Sequence, residues 1–182
     1  MTRRFWLSLG GALVALAGTQ PAYSFDYKIH PGSLCQAQLP DQAGNFQRAG
    51  GFIFNMGSPL RPSLTCPIIR DRVPHAGRTD ELTPIDGGIH FNYVGGFGKP
   101  TCQWVSNDEQ GRTMAVLPPT QTNDDNKGNL SMFWEIQPKD RSGNLQVAVD
   151  GTYSITCDMP PLAFLLRYVI GEQGSTDENG GF

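Results

Sequence analysis

The sequence has few charged residues, few histidines and no long hydrophobic run after its start, and each shortage excludes a class of protein. Asp, Glu, Lys and Arg make up 17% of the 182 residues, and there are three His. After residue 24, no apolar run approaches the roughly 20 residues of a membrane-spanning helix, so we expect no membrane span. The 17 acidic residues outnumber the 14 basic ones. This balance argues against nucleic acid as a partner, because nucleic-acid binders carry basic patches.

Motifs of common enzymes and metal sites are also missing. The chain contains no Gly-x-Ser-x-Gly nucleophile motif and no Cys-x-x-Cys motif. His30, His75 and His90 lie far apart in the sequence and belong to no metal-binding motif. We therefore predict no metal, no cofactor and no catalytic residue, and we expect that the protein is not an enzyme.

Two acidic patterns keep alternatives open. Glu135, Asp150 and Asp158 fall on the polar sides of predicted strands, and two carboxyl groups at about 5–10 Å would suit a small glycoside hydrolase. The segment 123–129 alternates Asp and Asn, as calcium loops do, but it places Lys127 at a ligand position and does not fit an EF-hand. We interpret this segment as a solvated turn, with a looser calcium site as the alternative.

The first 24 residues have the pattern of a secretory signal peptide. Arg3 and Arg4 form a basic start, an apolar segment follows, and the small residues Ala22 and Ser24 suit cleavage before Phe25. We therefore expect a signal peptide at 1–24 and a secreted or periplasmic protein. General and twin-arginine export both stay open. Without this segment, 12 basic residues face 17 acidic ones, which gives a net charge of −5.

All four cysteines lie after the predicted signal peptide, at Cys35, Cys66, Cys102 and Cys157. An even number of cysteines in an exported chain predicts two disulfides. Three pairings are possible. We favour Cys35–Cys66 with Cys102–Cys157, because this pairing closes two separate loops without threading. Cys66, Cys102 and Cys157 each alternate with apolar residues, so we expect them on the apolar sides of strands.

Apolar and polar residues alternate with a period of two along much of the remaining chain, which is typical of β-strands. Short runs separated by Gly, Asn and Asp turns predict an all-β antiparallel β-sandwich of jelly-roll or Ig-like type, formed by a single domain at 25–171. We expect a loop at 73–87 and a disordered acidic tail at 172–182. The predicted strands are 50–55, 63–69, 88–94, 101–106, 113–117, 130–136, 145–149, 153–157 and 162–170.

The order of the four cysteine-containing segments is similar to that in a known group of proteins. The segments are His30-Pro-Gly-Ser-Leu-Cys35, Thr65-Cys-Pro-Ile-Ile-Arg70, Thr101-Cys-Gln-Trp-Val-Ser106 and Tyr153-Ser-Ile-Thr-Cys-Asp-Met-Pro-Pro161. This order resembles that of small secreted bacterial proteins with an early Cys, a Cys-Pro step, a third strand Cys and a late Cys before Pro-Pro. The resemblance implies a β-sandwich with two disulfides and provides no catalytic residues.

Two aromatic residues are candidates for ligand binding. The alternation places Trp104 and Trp134 in the core, but Phe133 projects to the opposite side of its strand and Phe97 lies in a glycine-rich loop. We therefore predict a non-catalytic binding or interaction module whose ligand is a glycan or another envelope protein. A structural or assembly subunit of the cell surface is the alternative.

Overall fold

The fold is built almost entirely from β-strands. The computed structural model describes residues 24–57, 59–69, 85–136 and 151–174. Short 3-10 helices at Gly32–Leu34, Pro40–Asn45 and Gly95–Phe97 connect some of the strands. Within the described residues, no helix has the length and hydrophobicity needed to cross a membrane. In chain order, the strands are β1 (Ser24–Pro31), β2 (Gln36–Ala37), β3 (Phe46–Ala49), β4 (Phe52–Asn55), β5 (Ser63–Ile68), β6 (Ile85–Asn92), β7 (Thr101–Asn107), β8 (Thr113–Leu117), β9 (Gln121–Asp124), β10 (Asn129–Ile136), β11 (Thr152–Asp158) and β12 (Phe164–Gly174).

The strands form one seven-stranded and one five-stranded antiparallel sheet. The larger sheet has the order β3-β4-β12-β6-β10-β9, and β1 also pairs with β12. β4 pairs with the first residues of β12, and β1 pairs with the rest of that strand. The smaller sheet has the order β2-β5-β11-β7-β8. The predicted all-β antiparallel sandwich is therefore confirmed.

The core lies between the two sheets and follows the predicted alternation. Trp104 of β7 enters space that Gly87 of β6 leaves open, since a Cβ on Gly87 would lie 2.8 Å from a Trp104 ring carbon. Trp134 is also buried, so both tryptophans are core residues as predicted. The buried side chains of β10 are those of Leu130, Met132, Trp134 and Ile136.

Both disulfides have the favoured pairing, Cys35–Cys66 and Cys102–Cys157. Cys102 lies directly opposite Cys157 in the register of β7 and β11. Cys35 immediately precedes β2, which pairs with the strand that carries Cys66. The Cα atoms of each pair are 4.1 Å apart, which suits directly opposed residues of antiparallel strands. Cys102–Cys157 thus links β7 to β11, and Cys35–Cys66 links the residue before β2 to β5.

Some element boundaries differ from those predicted. β6 begins at Ile85, so the end of the predicted loop 73–87 is strand, because it pairs with β10 and β12. β12 continues to Gly174, into the predicted tail 172–182, and pairs with β1 along this length. Residues 1–23 of the predicted signal peptide and the predicted strand 145–149 lie outside the described residues.

Candidate functional site

The candidate site is the face of the seven-stranded sheet that points away from the core, which we call the outer face. Paired residues of neighbouring strands project to the same side, so the side chains form rows across the sheet. The first row contains Tyr27, Gly171, Asp86 and Glu135, the second Ile29, Val169, Gly88 and Phe133, and the third Pro31, Arg167, His90 and Ser131.

Over residues 27–30, β1 presents its apolar side chains to solvent and turns its polar side chains inward. Tyr27 is 57% exposed and Ile29 is 64% exposed. Lys28 and His30 alternate with them and are half-buried. The His30 ring stacks on the buried Tyr168 ring, with centroids 4.8 Å apart. A strand turned this way exposes apolar surface that a ligand can cover.

Two aromatic rings on the outer face lie over glycines of the neighbouring strand. A Cβ on Gly171 would be 2.6 Å from a carbon of the Tyr27 ring. A Cβ on Gly88 would be 3.1 Å from a carbon of the Phe133 ring. Each glycine is the direct cross-strand partner of the residue whose ring covers it. The missing side chains therefore let the rings settle on the sheet instead of standing away from it.

Two carboxyl groups lie beside these rings. Asp86 is opposite Glu135 in the pairing of β6 and β10, and opposite Gly171 in the pairing of β6 and β12. Burial, followed by the negative charge of Glu135, raises the pKa of Asp86. Carboxylate oxygens accept hydrogen bonds from hydroxyl groups. The first row therefore combines an aromatic ring with acceptors for a hydroxyl-rich ligand.

His90 occupies the middle of the third row. Its Nδ1 lies 2.8 Å from Ser131 Oγ. Its ring meets that of Phe133 edge-on, with centroids 5.8 Å apart. Burial, followed by the positive charge of Arg167, lowers the pKa of His90. The lowered pKa favours the neutral imidazole, which holds one donor and one acceptor nitrogen.

A further aromatic cluster extends the outer face at the start of β12. The rings of Phe54 and Phe164 stack with centroids 4.9 Å apart. The centroid of the Phe52 ring lies 6.0 Å from that of Phe54 and 5.9 Å from that of Phe164. All three side chains are half-buried. Sequence reasoning missed this cluster, although Phe52 and Phe54 flank the core residue Ile53. That spacing was the available signal, since both side chains must then point away from the core.

The two aromatic residues predicted as ligand contacts lie in different places. Phe133 is half-buried on the outer face, as its strand phase predicts. Phe97 is 50% exposed in the 3-10 helix that follows β6. Phe133 lies opposite Gly88, four residues before the end of β6 at Asn92, which is about 13 Å along the strand. Phe97 therefore does not share the rows that contain Phe133.

The acidic groups of the segment 123–129 are engaged within the protein. The Tyr93 hydroxyl donates to both carboxylate oxygens of Asp124 at 3.0 Å, and Lys99 forms an ion pair with the same group. The hydrogen bond from Lys99 is the largest cause of the lowered pKa of Asp124. Asp125 accepts hydrogen bonds from the backbone of its own turn. No cluster of three or more potential metal ligands occurs in the part of the chain that the structure describes.

The acids considered for hydrolysis do not converge. Glu135 lies on the outer face of the larger sheet, whereas Asp158 lies on β11 of the smaller sheet and accepts a hydrogen bond from Ser63 Oγ at 2.6 Å. The core separates these two faces, so Glu135 and Asp158 do not form a catalytic pair. Asp150 and His75 lie outside the described residues.

Comparisons with known proteins return solved structures alone. No family model matches the sequence, and no curated protein matches it. One similar structure is a GH26-CBM35 β-(1,4)-mannanase from Podospora anserina, at 10% identity and a TM-score of 0.37; the match covers 84% of this chain and 29% of the mannanase chain. Another is the CBM22-1 xylan-binding domain of Xyn10C from Paenibacillus barcinonensis, at 8% identity and a TM-score of 0.38, covering 82% and 85% of the two chains. At these values the similarity assigns neither ligand nor activity, and the resemblance to four-cysteine secreted proteins stays a prediction.

Proposed function

We propose that this protein is an exported, non-catalytic carbohydrate-binding module whose ligand lies on the outer face. The placement of Tyr27 over Gly171 and of Phe133 over Gly88 carries this proposal. The faces of a sugar ring expose C–H groups that pack on aromatic rings, and its edge carries hydroxyl groups that need hydrogen-bond partners. The outer face supplies both, because Asp86 lies next to the two glycines that the aromatic rings cover.

The length of the site favours an oligosaccharide over a single sugar. Three rows of side chains, each two residues from the next, span about 13 Å along the strands. The rings of Tyr27 and Phe133 lie in neighbouring rows and over different strands. A ligand that contacts both rings must therefore extend diagonally across the sheet.

The disulfides and the N-terminal sequence support the proposed export of the protein. The two disulfides form and persist best in an oxidising compartment. The basic start, apolar segment and small residues before Phe25 support a signal peptide. A secreted or periplasmic protein would meet glycans of the cell envelope or of the surroundings.

A glycan array with the purified protein tests the proposal. We expect binding to one glycan class, and we expect Tyr27→Ala and Phe133→Ala each to weaken it at least about tenfold. That loss corresponds to about 1.4 kcal/mol, within the range for truncating an aromatic contact residue. Phe97→Ala is the matched control, since it removes an exposed phenylalanine away from the rows, and it should bind as the wild type does.

Other results would reject the proposal or move the site. Loss of binding in Phe97→Ala alone would place the ligand at the loop after β6. Binding that disappears with a calcium chelator would restore the segment 123–129 as a metal site. An array without any bound glycan would contradict the proposed function.

The opposed carboxyl groups of Asp86 and Glu135 require a separate check for hydrolysis. We expect that the bound glycan, incubated with the protein, releases no new reducing ends, because these groups lie on an open sheet face. Release that Glu135→Gln abolishes would show that the protein is a hydrolase.

A protein partner is the second candidate, and β8 favours it. β8 ends the smaller sheet within the described residues, and its Met114 and Val116 are 42% and 49% exposed. An edge strand with apolar side chains can pair with a strand of another chain. Self-association in light scattering that Val116→Lys abolishes would support this role, and a monomer that captures no envelope protein would contradict it.

A further inference from the structure

A shallow cavity of about 440 Å³, wide open to solvent, lies beside the phenylalanine cluster. Its walls are the side chains of Ile29, Pro31, Phe52 and Leu166, and the turn between β3 and β4 contributes Gly50 and Gly51. Arg167 is the charged residue in the lining. The volume lies within the range of small-molecule sites, which combine apolar walls with few polar groups.

The backbone around the cavity is held in place by its own bonds. Gly50 and Gly51 have φ values of 56° and 92°, which glycine adopts without strain. Ser33 donates its backbone N–H to the Gly51 carbonyl at 3.0 Å. The register of β12 against β6 shifts between Leu165 and Arg167, so Leu166 is an extra residue that projects beside the cavity. The cavity is therefore formed by the turn between β3 and β4 and by the bulge in β12.

Arg167 brings an unneutralised positive charge to this apolar cavity. It is exposed and forms no ion pair or hydrogen bond with another described residue. The positive charge of Arg167 contributes to the lowered pKa of His90, which is the cross-strand partner of Arg167 on β6. The nearest outer-face carboxyl group on that strand, Asp86, lies four residues from His90, or about 13 Å along the strand. A guanidinium in this position suits a carboxylate.

We propose that this cavity binds an amphipathic carboxylate, with the apolar body of the ligand between Ile29, Phe52 and Leu166 and its carboxylate on Arg167. The walls carry no side-chain hydroxyl or amide group for a polyhydroxylated ring, so the preferred ligand is an acyl or aryl carboxylate and not a sugar acid. The cavity shares Ile29, Pro31 and Arg167 with the second and third rows of the outer face, whereas Tyr27 and Phe133 lie outside its lining. The two proposals can therefore fail separately, because Tyr27→Ala and Phe133→Ala should weaken glycan binding and leave octanoate binding unchanged.

Titration with sodium octanoate, followed by the ¹H–¹⁵N resonances of Gly50 and Gly51, tests the proposal. We expect saturable shifts at both glycines, and we expect Arg167→Gln to weaken binding at least tenfold while Arg167→Lys weakens it less. Arg112→Gln is the matched control. Arg112 pairs with Asp108 in the turn between β7 and β8 and lies outside the cavity lining, so its variant should bind octanoate unchanged.

Three further ligands separate the chemical classes. Acetate, octanol and glucuronate should each bind at least tenfold more weakly than octanoate. Equal binding of octanol, or an unchanged affinity in Arg167→Gln, would overturn the role of Arg167. Glucuronate binding as tightly as octanoate would overturn the assignment of an apolar body. Absence of saturable shifts with octanoate would overturn the site itself.

Discussion

Asn55 is a buried polar residue whose hydrogen bonds anchor the segment between β11 and β12. Its Nδ2 donates to the Met159 carbonyl at 3.0 Å, and its Oδ1 accepts from the Gly57 N–H at 3.1 Å. Its backbone also bonds to Leu162 and Ala163. Because β12 forms the middle of the outer face, Asn55 contributes to the site without touching it.

Replacing Asn55 with Ala should destabilise the protein by about 1–3 kcal/mol, since the change leaves a buried carbonyl and a backbone N–H without their side-chain partner. Urea unfolding of the variant against the wild type measures this. Asn123→Ala, at an exposed position of β9, is the control and should change the free energy of unfolding by less than about 0.5 kcal/mol. Equal effects of the two substitutions would refute the anchoring role.

His90 should make stability depend on pH. Its folded pKa lies below the ordinary value of 6.5 because of burial and the charge of Arg167. Between the two pKa values the unfolded chain binds more protons than the folded one, so the contribution to stability is present above about pH 6.5 and is lost as the pH falls through the folded pKa.

The test compares the wild type with His90→Gln between pH 7.5 and 5. The free energy of unfolding should fall more steeply with decreasing pH in the wild type, since the effect of His30, whose pKa is also lowered, is common to both proteins. Parallel curves would show that His90 does not contribute.

At the scale of elements, the sequence predicts the strands in which apolar and polar residues alternate clearly, and it does not predict the strand whose residues are all polar. β5, β7, β10 and β11 lie within about a residue of the predicted segments, because each carries buried residues at every second position. β9 was missed because all four of its residues are polar, and its pairing with β10 makes it a strand. β1 was missed as well, since its alternation exposes the apolar side.

The Cys102–Cys157 disulfide joins opposed residues of β7 and β11. Removing this bond should therefore destabilise the smaller sheet without changing the register of its strands. Replacing both Cys102 and Cys157 with Ala should cost about 2–5 kcal/mol, as is typical for native disulfides. Denaturant unfolding of the oxidised proteins measures the loss. A change under about 0.5 kcal/mol, or a Cys35–Cys66 bond that no longer forms, would contradict this account.

For the whole molecule, the sandwich and its disulfides follow from the sequence, whereas most of the site does not. Strand phase identified Phe133 as a residue that leaves the core. Tyr27 and Gly171 come from opposite ends of the described chain, and only the register of β1 with β12 brings them together. Isolated glycines in strands mark a close approach, but they do not reveal which ring approaches.

The most direct test of the account is a ¹H–¹⁵N titration of the protein with the glycan selected by the array. We predict that the largest shifts map to the outer face, with Gly88 and Gly171 among them, because bound sugar would cover the rings above these glycines. Shifts confined to the loop around Phe97 or to the smaller sheet would contradict the assignment of the outer face as the binding site.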